Sequence, residues 1–206
     1  MGRGDLIAMV RKGGIREQRA GFAVRHEQFL LYPTYFHEKP AELAARFIPS
    51  LSPTDPSPGT VRFRYVADVA ALWWITDLDR LRAIEPEIGL TQVAVESRFH
   101  YRNNPGVHVI ALRISELPVP IDVVDVPRYR GCVSWVALDQ PLDVADARAV
   151  LAPDVLARRV GALTAVLGET TVSESTAGES TAGESTAGES TAGATIVGEN
   201  TEAPRA

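Results

Sequence analysis

Cysteine is almost absent from this chain of 206 residues: Cys132 stands alone. No intrachain disulfide can form, and nothing about the fold calls for an oxidising compartment. Lysine is nearly as scarce, with Lys12 and Lys39 its only occurrences. No apolar run approaches the ~18 residues that span a bilayer. The first sixteen residues alternate charge and glycine where a signal peptide would carry its apolar stretch. These absences predict a cytoplasmic protein with no membrane partner. A phosphate-cradling P-loop, a dinucleotide fingerprint and a Gly-x-Ser-x-Gly elbow are also missing, which removes the enzyme classes those motifs announce.

Metal chemistry of the common kinds is excluded by spacing. A metal-dependent restriction nuclease needs an acid-x-Lys triplet, with a carboxylate on the ion and a lysine beside the attacking water. Here Val10 precedes Lys12 and His37 precedes Lys39 at that distance. His37-Glu38-Lys39 matches the His-x-Lys of phospholipase-D-type phosphodiesterases, yet Ala44 stands where the acid is needed. His26-Glu27 and His37-Glu38 each begin a zincin-like string, but Leu30 and Ala41 occupy the second histidine positions. No metal and no cofactor is therefore expected, although a spatial cluster of His26, His37 and His100 stays open because ligands need not be sequence neighbours. Cys132 reads as a small buried thiol in preference to a nucleophile.

What is present divides the chain in two. Beyond Gly168, four tandem Glu-Ser-Thr-Ala-Gly copies run from Glu174 to Gly193 without a large apolar residue. Such composition cannot bury enough surface to offset ordering entropy, so 169–206 is expected to be a disordered low-complexity tail. Residues 1–168 are expected to form one globular domain, since 45% hydrophobic content supplies a sizeable core. The net charge of −5 belongs to the tail, which carries seven acids and one base; the remainder has 20 bases and 19 acids. An essentially neutral domain argues against strong nonspecific DNA binding.

Periodicity places the elements. Residues 5–12 read as a strand ending at Gly13-Gly14, and 28–35 as a second extended stretch able to pair with it. Pro40 opens a helix stopped at Pro49. Residues 50–60, with three prolines and a glycine, read as a loop. Alternation of Val61, Phe63 and Tyr65 with Arg62 and Arg64 marks a half-exposed strand leading into the apolar 66–75 run. Thr76 or Asp77 can cap a short helix to Ile84, and 91–101 read as another helix. Val107 to Ser115 is the clearest strand, with His108, Ile110, Leu112 and Ile114 on one face. A last strand is expected over 132–138 and a short helix over 143–151. The best helix is 153–167, with a Leu156, Val160, Leu163, Leu167 stripe and Gly168 just past its end. Clustered strands with peripheral helices predict an α+β domain with a mixed or antiparallel sheet. The order after Val61 also bears a fold-level likeness to the small PUA and ASCH barrels that recognise nucleotides.

Arg11-Lys12-Gly13-Gly14-Ile15, EQFLLYPTYFH from Glu27 to His37, ESRFHYR from Glu96 to Arg102 and YRGCVSW from Tyr129 to Trp135 occur in one order. Together they resemble the bacterial and archaeal family catalogued as domain of unknown function 1802, over most of residues 5–167. The resemblance implies an added strand before Met1 in many members. It also implies a tie to DNA restriction or defence, through association with a restriction-type nuclease, and no established activity.

Two functional readings follow. In the first, the domain is a non-catalytic module associated with DNA or RNA, using Arg11, Lys12, Arg16, Tyr35, Arg98 and Arg102 for phosphate contact and stacking, with Arg25, Tyr32 and Tyr101 beside them. In the alternative, a hydrolase or phosphodiesterase draws its acid and base from His26, His37 and His100, with Arg98 or Arg102 stabilising the developing anion. The ordinary alternative for each arginine is a salt bridge to a neighbouring acid.

Overall fold

The computed structural model describes residues 1–12, 17–18, 21–22, 27–33, 40–51, 57–130, 135–170 and 195–197. The strands are β1 (Ala8–Arg11), β2 (Glu17–Gln18), β3 (Gly21–Phe22), β4 (Gln28–Leu31), β5 (Thr60–Ile75), β6 (Val107–Val124), β7 (Trp135–Ala137), β8 (Arg148–Ala149) and β9 (Thr195–Val197). The helices are α1 (Leu78–Ala83), α2 (Glu85–Ile88), α3 (Gln92–Phe99) and α4 (Pro153–Leu167). The fold is α+β. Its sheet runs β1-β6-β5-β4-β9-β7, with β8 also on β6, and β2 and β3 form a separate hairpin. Among the described strands β1 and β7 end an open path.

The antiparallel pair β5 and β6 is the spine. Val61 and Phe63 turn inward while Arg62 and Arg64 face solvent. There Arg62 pairs with Asp122 at 2.7 Å and Arg64 with Glu116 at 2.7 Å across the strands. From Val66 most positions are covered on both faces and the alternation gives way to a mainly apolar run, interrupted by the half-buried Asp68 and the exposed Trp74. β6 extends well past the expected Ser115, through Pro118 and Pro120. A break in register permits this. Phe63 faces Ile121 and Tyr65 faces Glu116, so residues 117–120 bulge opposite Arg64, where a missing N–H costs no ladder bond.

One sheet face carries the helices. Trp73, Ile75, Val107, Val109 and Ala111 pack with Leu81, Ile84, Val95, Phe99, Leu156, Leu163 and Leu167. The other face buries Met9, Phe29, Leu72, Ile110, Leu112 and Ile114. Helix boundaries follow local chemistry. Asp77 accepts the Asp79 amide at 2.9 Å to start α1, and Thr91 Oγ1 accepts the Ala94 amide at 3.3 Å to start α3. In α4, Pro153 sits in the first turn and Gly168, at φ 95°, ends the helix. The orphan carbonyls of Leu167 and Gly168 accept from Arg80 Nη1 and Trp73 Nε1, each at 3.1 Å.

Several expectations are corrected. β1 pairs with β6, and β4 with β5 and β9, so the first two extended stretches do not pair with each other. The segment after Pro40 forms two 3-10 turns, Pro40–Glu42 and Ala45–Ser50. They are separated by a bridge from Leu43 to Leu90, whose backbone pairing is incompatible with continuous helix. Residues 143–151 are not helical. Asp143 Oδ1 accepts the Ala145 amide at 3.0 Å in a local turn, and Arg148–Ala149 joins the β6 edge. The repeats lie outside the described residues, but Thr195–Val197 beyond them is a strand of the sheet.

Candidate functional site

Lys12 follows the last residue of β1, and its ammonium is aimed into the turn after α3. Nζ donates to the carbonyls of Phe99 at 2.9 Å, Gly106 at 2.6 Å and Asn104. Three acceptors satisfy the three donors of an ammonium group. Partial burial lowers its pKa from the ordinary value. The turn itself needs Asn103 at φ 52° and Gly106 at φ 128°. Thus the Arg11-Lys12 string and the Glu96–Arg102 string, remote in sequence, are joined by one side chain.

The neighbouring row is built by register. Arg11 on β1 faces His108 on β6, and His108 faces Trp74 on β5. Residues in register share a sheet face, so the three close the end of the apolar face formed by Met9, Leu72 and Ile110. Arg11 is 7% exposed and His108 9%, whereas Trp74 is 41% exposed. The Trp74 and His108 rings lie against each other, tilted by 49° with centroids 4.5 Å apart. Burial first, and the Lys12 charge second, push the His108 pKa down from 6.5 to about 4, so the imidazole is neutral at pH 7. Gly106 lies under the indole: a Cβ there would come within 2.5 Å of Trp74 Cζ2.

The other expected residues are placed differently. Arg98 donates to Glu42 at 2.7 Å and to the Ala94 carbonyl at 3.3 Å, with its side chain 21% exposed, so it ties the Pro40–Glu42 turn to α3. His100 is exposed at the end of α3 with its ring edge-on to Phe99, centroids 5.0 Å apart. Arg102 lies in the 3-10 turn Tyr101–Asn103 that follows. Tyr32 packs edge-on against Phe63 in the cluster around Leu30, Val66 and Tyr129. Arg16, Arg25, His26, Tyr35, His37 and Cys132 lie outside the described residues. Trp74 and His108 were not singled out in the sequence. The available signal was a histidine on an otherwise apolar strand face and a Trp73-Trp74 pair, whose alternation sends one indole into the core and the other outward.

A model of the family described as Domain of unknown function (DUF1802) matches residues 1–162. The chain belongs to this family. The DUF1802 segment contains the whole Lys12, His108 and Trp74 arrangement and ends within α4, so the repeats fall outside it. No curated protein and no solved structure matches the chain. Among the described residues of this DUF1802 protein, no group of three or more His, Cys, Asp or Glu is placed to hold a metal ion. No described helix is long and apolar enough to cross a membrane. A cavity of about 10 Å³ beside Met1, Ile7, Leu112 and Leu156 has room for about one water molecule.

Proposed function

We propose that this DUF1802 domain is a non-catalytic module that takes single-stranded nucleic acid at the end of the sheet marked by Trp74. The observation carrying the reading is the indole itself, exposed, backed by the neutral His108 ring, and set where Lys12 joins two of the family's sequence strings. An aromatic face of this kind supplies ~1–3 kcal/mol per stacked base and tolerates any base. Charge supports a single strand over a duplex. Many described arginines are spent on acids, as in Arg62 with Asp122, Arg82 with Glu96, Arg98 with Glu42 and Arg159 with Glu87. Duplex binding rests on many unneutralised cations, whereas stacking does not. His100 at the end of α3 and Tyr101 in the turn after it supply the polar rim, and a restriction-type nuclease is the partner this role would serve.

The test is fluorescence anisotropy of the full chain with labelled single-stranded DNA, duplex DNA and RNA at two salt concentrations. Single strands are expected to bind more tightly than duplex, and Trp74→Ala to weaken them by about tenfold without altering the circular dichroism spectrum. Absence of binding at low salt, or equal binding by Trp74→Ala, overturns the reading.

A further inference from the structure

We propose that the sheet contains a reversible strand-docking slot between β4 and β7, and that its occupant is the chain's own Thr195–Val197 segment, delivered from beyond the repeats. In the structure β9 lies between the two, with Phe29, Leu30 and Leu31 paired in parallel to Thr195, Ile196 and Val197. On its other side Trp135, Val136 and Ala137 pair antiparallel to Val197, Ile196 and Thr195. Among the described strands, β7 reaches the sheet through β9 alone. The flanks of the slot therefore belong to the domain, while the filler comes from the far side of the Glu-Ser-Thr-Ala-Gly copies.

The sequence supports the same assignment independently. Beyond Gly168 there is no leucine and no aromatic residue, and one isoleucine, Ile196, followed by Val197 and Gly198. A run of β-branched residues favours extended backbone. It begins at Thr195, with only Ala194 between it and the last repeat, and the register sets Ile196 between Leu30 and Val136. Leu30 is fully buried and belongs with Val136 to one apolar cluster. Without a third strand, the β4 edge would present unpaired N–H and C=O groups beside that cluster, which is the usual template for adding a strand.

The repeats then have a physical role that depends only weakly on their number. A Gly- and Ser-rich tether holds its end at an effective concentration on the order of millimolar, falling with about the −3/2 power of length. Loss or gain of one five-residue copy changes docking by less than about twofold. A three-residue strand paired on both sides forms too few bonds to be locked in place, so the slot opens and accepts another extended β-branched segment. This proposal concerns the end of the strand order away from Trp74 and stands apart from the nucleic-acid reading.

Hydrogen exchange with mass spectrometry on the full chain tests it. Ile196→Pro removes a ladder donor and fixes φ, and is expected to speed exchange at Phe29–Leu31 and Trp135–Ala137 by about tenfold while leaving α4 unchanged. Ile196→Val and deletion of residues 184–188 are expected to leave both strands protected. A peptide of residues 194–200, added at millimolar concentration to the Ile196→Pro chain, is expected to restore protection. Unchanged exchange in Ile196→Pro, or a peptide that restores nothing, overturns the slot. Protection that disappears on dilution of the wild-type chain places the strand of a second copy there and overturns delivery in cis.

Discussion

Lys12 Nζ donates to the Phe99 carbonyl at 2.9 Å, binding the end of β1 to the end of α3 across 87 positions of sequence. With the Gly106 and Asn104 carbonyls it completes a cage in which the cation is held by backbone alone. Replacing Lys12 with Met leaves those carbonyls without their donor, and the loss of charged hydrogen bonds is expected to cost about 2 kcal/mol. Arginine cannot recover it, because a planar fork does not fit three carbonyls converging on a point. Urea unfolding of the wild type, Lys12→Met and Lys12→Arg checks this; a Lys12→Arg midpoint equal to wild type would contradict it.

His108 makes stability depend on pH. Its folded pKa of about 4 lies below the ordinary 6.5, so between these values the unfolded chain binds the extra proton. The contribution is complete above about pH 6.5 and is lost as pH falls through about 4, with a size on the order of 3 kcal/mol. Urea midpoints at pH 7.5 and pH 5 are expected to differ more for wild type than for His108→Gln, since carboxylate titration is common to both. Equal differences would refute the assignment.

Gly106 permits the turn and the indole to coexist. Gly106→Ala requires a side chain at φ 128° and a Cβ 2.5 Å from Trp74 Cζ2, and is expected to cost about 2–4 kcal/mol. Removing the indole relieves the clash and leaves the backbone strain. A double-mutant cycle with Trp74→Ala should therefore recover about half of the loss. Full additivity of the two single effects would show that the added methyl does not meet the indole.

Arg159 fastens the N-terminal segment to α4. It donates to the carbonyls of Gly4 at 2.5 Å and Asp5 at 2.8 Å and pairs with Glu87 at 2.5 Å. Its side chain is 23% exposed. Arg159→Ala is expected to destabilise by about 1–3 kcal/mol and to open residues 4–6 to limited proteolysis before the rest of the chain. Wild-type cleavage at that segment would count against the tie.

Features set by neighbours in sequence were legible. The stripe of α4 with Pro153 and Gly168, the Asp77 and Thr91 caps, and the alternation of 107–115 each rest on interactions within a few residues. The full length of β6 was hidden because prolines ordinarily end strands. Only the bulge opposite Arg64 reveals that no ladder bond is lost there. Residues 143–151 read as helix by composition, but the β6 edge captured Arg148–Ala149. Arg98 read as a phosphate ligand because its partner, Glu42, lies 56 positions away.

By itself the sequence determined the α+β class, the family strings, the separate composition of the repeats and the near neutrality of the domain, since these follow from composition and local period. The tertiary structure decided what Lys12, Arg98 and Arg159 hold and where Trp74 stands. Register alone brings Arg11, His108 and Trp74 into one row. Packing alone turns Lys12 inward onto carbonyls, because burial favours a cation only where fixed acceptors replace water.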